Sequence, residues 1–461
     1  MPNLVELSAR QIADHVRSKA VTRAEVVQAH LDEIAAANSE VGALVAVRAE
    51  EALREAREAD RAGTDRGALD GVPVSVKAEY DVAGLPTTHG NRSLSGQVAT
   101  EDSPVVSRLR AQGAIVIGKG NQPDFAMRWN TYSSELGWTR NPRDRSRSVG
   151  GSSGGDAAAV AAGMAAIGFG TDLAGSIRVP AAFCEIYGLR STPGRIPYAA
   201  QDLAMVRTPA SEAMSSQGPL ARSVDDLRLA FEATAGASPR HPFSIPAQPG
   251  SPPPNRPLRI ARLVDQAGAE VEPDMVEQVD LICAALEAAG HTVEDAAFPG
   301  AERVPQLWGE LLCTELRLRV LPRLEKVMDP SCFDHIDKLS QVWPTLSDTD
   351  TYVARWEEWA QIRRRLLRWM DDYPLVVAPL AGMRLPLPLE YDHWADSAAL
   401  EALVVRMRNS LWPACLGLPA LALPNGVQLV AGPHRDELLF EPARTAEAAL
   451  PACVPAHSQA G

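Results

Sequence analysis

Apolar positions along the 461-residue chain change period repeatedly, and each change predicts an element. The N-terminal segment reads as helical. Ser8-Ala9-Arg10-Gln11 and Thr22-Arg23-Ala24-Glu25 both fit the capping box, in which a side-chain oxygen and an acid or amide satisfy the free amides of a helix start. From about Arg23 towards Arg61 the Ala/Glu/Arg-rich sequence predicts one long helix. After Gly71 the period becomes two: Val72, Val74 and Val76 alternate with Pro73, Ser75 and Lys77, which predicts a strand beginning at Pro73. Ser103 as a cap and Pro104 at the first helical position open a helix expected to stop near Gly113. Ala114-Ile115-Val116-Ile117 then reads as a short buried strand. A Gly/Ser-rich loop at 150–155 leads into an apolar helix from Asp156 to Met164.

Residues 239–257 hold eight prolines, which disfavours a helix or sheet interior and marks a linker or long surface excursion. Beyond it the pattern resumes with a strand at 258–263, a helix at 275–289 and a strand at 291–294. Residues 303–372 read as mostly helical and carry Trp308, Trp356, Trp359 and Trp369, and 374–379 reads as another buried strand. Alternating helices and strands of this kind imply an α/β fold, a sheet covered by helices on both faces.

Charge and composition narrow the function. Lys and Arg number 45 against 58 Asp and Glu, a net charge of −13, which argues against nucleic acid or anionic membrane as a partner. The longest run of small apolar residues, Ala157 to Gly170, is too short to span a bilayer. Cys184, Cys283, Cys313, Cys332, Cys415 and Cys453 lie far apart with no CxxC pair, and Met1 to Arg10 lacks a signal-peptide pattern. A soluble protein of the reducing cytoplasm is the expectation. The nine histidines (His15, His30, His89, His241, His291, His335, His393, His434 and His457) are scattered singly, so no metal is expected.

Chemistry concentrates in Gly150-Gly151-Ser152-Ser153-Gly154-Gly155-Asp156. Four glycines around two serines free the backbone to bring hydroxyls and amides to a ligand, and the following helix aims its N-terminal amides there. A flexible linker would rarely run straight into so apolar a helix, and a phosphate cradle lacks the Walker Lys-Ser/Thr. Both Gly150-x-Ser152-x-Gly154 and Gly151-x-Ser153-x-Gly155 satisfy GxSxG, but the apolar strand that the α/β-hydrolase elbow needs is replaced by charged, Ser-rich residues 143–148. A second cluster lies downstream: Gly170-Thr171-Asp172-Leu173-Ala174-Gly175-Ser176-Ile177-Arg178-Val179-Pro180, whose small residues permit backbone amides to converge as an oxyanion hole requires.

Together, the Gly/Ser loop, GTDLAGSIRVPAAFC at 170–184 and Gly188-Leu189-Arg190-Ser191-Thr192-Pro193-Gly194 strongly resemble the amidase signature family. Ser152 and Ser176 stand 24 residues apart, the spacing of that family's catalytic serines, and Gly71-Val72-Pro73-Val74-Ser75-Val76-Lys77 looks like its GVP…K strand. Asn141-Pro142, Leu416 to Ala420 and Gly426 to Val430 also fit. The resemblance is dense over 67–235, moderate at 1–60 and 405–448, and almost absent over 237–400.

The resemblance implies one amidase signature domain over 1–461: a mixed twisted sheet between helices, N-terminal helices at 1–60, a catalytic core at 67–235, a helical cap insertion at 300–372 and C-terminal core segments at 405–448. It implies Ser176 as nucleophile, Ser152 as a bridging serine with an unusual cis peptide and Lys77 as base. It also implies an oxyanion hole from the N–H groups of Leu173, Ala174, Gly175 and Ser176, and a substrate pocket including Met127, Arg128, Trp129 and Ser153. A serine hydroxyl needs a neighbour to remove its proton, and a lysine can do so only where its surroundings favour the neutral amine. No cofactor is implied.

Two positions depart from the family. Ala174 stands where Gly is usual, although a subgroup also carries Ala, and Arg128-Trp129 follow Met127 where Gly is common. Arg128 then reads either as a partner for a substrate carboxylate or polar head, with Trp129 as an apolar wall, or as a surface Arg over an aromatic ring. Asp172 and Arg178 read as an ion pair or hydrogen bonds holding the loop, Cys184 as an inert buried thiol, and the cap tryptophans as helix packing or, less simply, walls of the substrate entrance.

The expected activity is hydrolysis of a small carboxamide to a carboxylic acid and ammonia or an amine. The rivals are acyl transfer or ester hydrolysis by the same triad, the amidase subunit of a tRNA-dependent amidotransferase, and an inactive scaffold. The long N-terminal helix offers a surface for a homodimer.

Overall fold

Eleven strands form one mixed sheet in the computed structural model, which describes residues 3–201, 206–246, 257–264, 270–298, 300–391 and 396–456. In chain order the strands are β1 (Leu44–Val47), β2 (Pro73–Lys77), β3 (Ile115–Gly120), β4 (Tyr132–Ser133), β5 (Gly137–Trp138), β6 (Ile167–Asp172), β7 (Tyr187–Arg190), β8 (Ser216–Ala221), β9 (Arg259–Arg262), β10 (Thr292–Asp295), β11 (Leu375–Pro379), β12 (Ala420–Ala422) and β13 (Val427–Ala431). All but the β4–β5 ribbon join the sheet, in the order β1-β3-β2-β6-β8-β7-β12-β13-β11-β9-β10. β2 runs parallel to β3 and β6, and β9 parallel to β10 and β11, while the pairings from β6 across to β11 are antiparallel. The sheet therefore joins the 67–235 and 405–448 segments directly, through β7 and β12.

β2, β3 and β6 are buried along their whole length, as central strands covered by helices on both faces are, and their polar residues Ser75, Lys77, Lys119, Thr171 and Asp172 are buried with them. On β3, Val116 enters one core with Val74, Val76 and Phe169. Ile115 and Ile117 enter the opposite core, against the alanine-rich helix Gly154–Ala161.

Both N-terminal capping boxes form, at Ser8 with Gln11 and Thr22 with Glu25. Ser103 precedes the helix Pro104–Ala111 without a side-chain capping bond. The single long helix expected from Arg23 to Arg61 is two. Arg23–Val41 ends at Gly42, whose φ of 66° is left-handed, and β1 intervenes before Ala49–Ala62. The short run Leu44-Val45-Ala46-Val47 is a strand because it pairs with β3, a contact that local composition does not encode.

The cap is helical as expected: Val304–Glu315, Leu321–Leu324, Pro330–Val342 and Thr349–Asp372, with a π-helical turn at Leu316–Val320. The proline-rich stretch forms no helix or strand over 239–246, and 247–256 lie outside the described residues, as do His393 and His457. Among the described residues, no helix is long and apolar enough to cross a membrane.

Candidate active site

Because β2 and β6 are parallel neighbours, their C-terminal ends lie side by side, with Lys77 closing β2 and Thr171-Asp172 closing β6. The Gly/Ser loop is drawn over these ends by close backbone packing. A Cβ on Gly155 would lie 2.0 Å from the Asn121 amide nitrogen, so only glycine lets the helix start there. The Gly151–Ser152 peptide is cis.

Lys77, Ser152 and Thr171 meet in the interior. Lys77 Nζ donates to Ser152 Oγ at 2.7 Å and to Thr171 Oγ1 at 2.8 Å, and Glu79 Oε1 lies 3.5 Å from the same nitrogen. The Thr171 hydroxyl in turn donates to Glu79. Lys77 is wholly buried, and burial pulls its pKa below 10.5 against the opposing pull of Glu79, Asp156 and Asp172. Burial pushes the Glu79 carboxyl up, but Lys77, His89 and the Thr171 bond outweigh it and hold the group below its ordinary range. Asp156, beneath Lys77, accepts from Ser75 Oγ at 2.8 Å, and burial raises its pKa to about 7.

Ser176 follows β6 in a loop fixed by Asp172. That carboxylate, fully buried, accepts from the Gly175, Ile177 and Arg178 amides and pairs with the Arg178 guanidinium at 2.9 Å. Arg190 lies 3.6 Å from it. Burial alone would raise the Asp172 carboxyl, but the two guanidiniums and the amides hold it far below the usual range. Asp172 and Arg178 are thus a structural pair. Gly175 adopts φ +103°, where a Cβ would meet Ser410 and Val179 at 2.8 Å.

One expected oxyanion donor is already committed, since the Gly175 N–H goes to Asp172 Oδ1 at 2.9 Å. The N–H groups of Leu173, Ala174 and Ser176 have no acceptor among the described residues. The Ser176 hydroxyl likewise makes no hydrogen bond among them, to Ser152 or any other group.

Ser152 and Ser176 open on a cavity of about 270 Å³. Met127, Arg128 and Trp129 line it, but Ser153 does not. Ser153 is fully buried, its hydroxyl spent on the Thr171 backbone and its N–H on Ser176 C=O at 3.0 Å, so it anchors the Ser176 loop and stays out of the cavity wall. Arg128 is no surface residue: it is 8% exposed, with Nη1 3.2 Å from His335 Nδ1. The cap contributes Trp308, Trp343, Leu312 and His335 to the cavity. Trp356, Trp359 and Trp369 pack against a core cluster that Trp308 also touches, and they do not line the cavity.

The sequence reading missed Glu79, Thr171 and His335 as site residues, while of the four cap tryptophans it offered as helix packing or entrance walls, Trp308 lines the cavity. Only Glu79 carried a local signal, an acid two residues beyond Lys77. Cys184 is buried, and burial pushes its thiol far up, as an inert thiol requires. Among the described residues no group of His, Cys, Asp and Glu could hold a metal ion.

The family model described as Amidase matches residues 25–440. The indoleacetamide hydrolase of Bradyrhizobium diazoefficiens is 32% identical over 463 residues, covering 95% of this chain and 86% of that one. A glutamyl-tRNA(Gln) amidotransferase subunit of Anaeromyxobacter sp. (strain K) is 43% identical over 241 residues, 51% of this chain and 48% of its own length. Among solved structures, 6-aminohexanoate cyclic dimer hydrolase superposes with a TM-score of 0.81 at 26% identity, covering 98% of both chains.

Proposed function

The chain belongs to the amidase family and hydrolyses amide C–N bonds, and we propose that it does so with Ser176 as nucleophile, Ser152 as proton relay and Lys77 as base. The observation that carries this reading is the 2.7 Å bond from Lys77 to Ser152 in a fully buried setting, beside the cavity that exposes Ser176. Burial favours the neutral amine that a base must be.

Neutral Lys77 takes the Ser152 proton as Ser152 takes that of Ser176, and Ser176 Oγ attacks the amide carbonyl carbon. Rotation of a serine side chain closes the Ser152–Ser176 contact when substrate arrives, since catalytic bonds often tighten only in the complex. The negative oxygen is met by the N–H groups of Leu173, Ala174 and Ser176. The protons return along the chain to the nitrogen, the C–N bond breaks and ammonia or an amine leaves. Water, deprotonated the same way, then releases the carboxylic acid and restores Ser176.

Trp308, Trp343, Phe125 and Met127 give the cavity aromatic and soft apolar walls, and its volume suits one or two fused rings. An arylacetamide such as indole-3-acetamide is the proposed substrate, in keeping with the relative matched along nearly the whole chain. The six cysteines are all free, in keeping with a reducing cytoplasm. The amidotransferase reading rests on sequence matches that cover between about half and two thirds of each chain, against 95% of this chain for the indoleacetamide hydrolase.

Intact mass after a serine-reactive fluorophosphonate tests the nucleophile: one adduct on the wild type and none on Ser176→Ala. Ammonia release from indole-3-acetamide by the pure chain tests the substrate class. No adduct on either protein overturns the reading. An adduct without ammonia release, joined by acyl transfer to added hydroxylamine, favours the transferase rival.

A further inference from the structure

A backbone amide stabilises an oxyanion only if its peptide plane is held in the right direction. In a trans peptide the C=O of one residue and the N–H of the next point opposite ways, so a bond to the carbonyl aims the amide. The loop after β6 has four such planes. Asp172 C=O accepts from Arg190 Nη1, which sets the Leu173 N–H. Leu173 C=O accepts from Trp308 Nε1 at 3.0 Å, which sets the Ala174 N–H. Ala174 C=O accepts from Trp129 Nε1 and Ser410 Oγ, both at 2.8 Å, and sets the Gly175 N–H that Asp172 uses. Gly175 C=O accepts from the Val179 amide at 2.6 Å, which sets the Ser176 N–H.

Three planes therefore end in an uncommitted N–H, and two of these are held by core residues. The third, that of Ala174, is held from the cap. Trp308 sits on the helix Val304–Glu315, its ring lines the substrate cavity, and Trp343 braces it edge-on at 5.2 Å.

We propose that Trp308 is a positioning residue for hydrolysis. Its indole N–H, bound to the Leu173 carbonyl, aims the Ala174 N–H at the developing oxyanion, while the same ring forms a wall against the acyl group. The cap thereby sets transition-state stabilisation as well as specificity, and the inference rests on the reading of Ser176 as nucleophile.

The decisive variant replaces Trp308 with benzothienylalanine, which keeps the ring shape and puts sulfur where the N–H stood; Trp308→Phe accompanies it. Loss of an oxyanion donor outright costs about 10²–10³ in kcat, so loss of the bond that aims one is expected to cost about tenfold, with KM for indole-3-acetamide moving less than about twofold. Affinity for an arylalkyl boronic acid, which becomes tetrahedral on the serine, should fall in parallel with kcat, and affinity for the carboxylate product should hold. A change confined to KM, or kcat unchanged in both variants while the wild type is labelled at Ser176, overturns the inference alone. A wild type not labelled at Ser176 overturns the underlying reading and the inference with it.

Discussion

At the scale of single residues, Lys77 is caught between burial, which favours its neutral form, and Glu79 at 3.5 Å, which favours the ammonium. Activity that depends on neutral Lys77 rises with pH along a limb whose midpoint lies below 10.5. Glu79→Gln keeps a hydrogen-bonding group against Thr171 but removes the charge, so the ammonium loses its largest opposing support and the limb moves to lower pH. A kcat/KM profile from about pH 6 to 10 reads this directly, and a midpoint that stays put or climbs counts against Lys77 as base. Asp172 makes a different case: Asp172→Asn leaves the buried Arg178 and Arg190 guanidiniums without their carboxylate, a loss of about 3–5 kcal/mol expected in the denaturant midpoint. Lys77, Ser152 and Ser176 were singled out through the family resemblance, which the motifs at 71–77, 150–155 and 170–184 carry. The bonds of Lys77 to Thr171 and of Trp308 to Leu173 were not legible, because contacts between distant segments leave no period in the sequence.

At the scale of elements, hydrophobic period located β2, by its alternating valines, and β3 and β11, by their short apolar runs, to within a few residues. It failed at β1, whose strand state comes from pairing, and it placed the cap helices without saying which tryptophans face substrate. Gly309 supplies the missing constraint. A Cβ there would fall 2.1 Å from the Trp343 ring, which packs over the helix Val304–Glu315 and reaches the cavity. Gly309→Ala must displace that ring, as overpacked cores generally shift their side chains. The KM for indole-3-acetamide is expected to rise about tenfold, the range in which apolar pocket contacts discriminate. Labelling of Ser176 by a small fluorophosphonate should change less than about twofold. A matching loss in both assays would show damage to the catalytic loop and remove the assignment of Trp343 as a cavity wall.

At the scale of the whole molecule, the site's ionisable groups lie inside the sheet's own core, so their titration is part of global stability. Which distant strands become neighbours, as β7 and β12 do, was not legible in the sequence, since pairing order is set by packing that no local pattern records. Asp156 carries the energetic cost of that placement. Burial raises its pKa to about 7, against the Ser75 bond and Lys77, and its Oδ2 has no partner among the described residues. A carboxyl raised in the folded state contributes stability in full below its unfolded pKa of about 4 and loses it as pH climbs through about 7. His30, buried and pulled down to about 3 by burial, pushes the other way below about pH 6.5, but equally in any Asp156 variant. Asp156→Asn cannot ionise, so its Tm relative to the wild type should climb between about pH 5 and 7 and level off by about pH 8. The same substitution removes one of the charges that favour protonated Lys77, so the activity limb should also move to lower pH. A Tm difference that is flat across that range would mean that Asp156 is already ionised at its acid end in the folded chain. Lys77 would then work as a base against three permanent negative charges, Glu79, Asp172 and Asp156, instead of two.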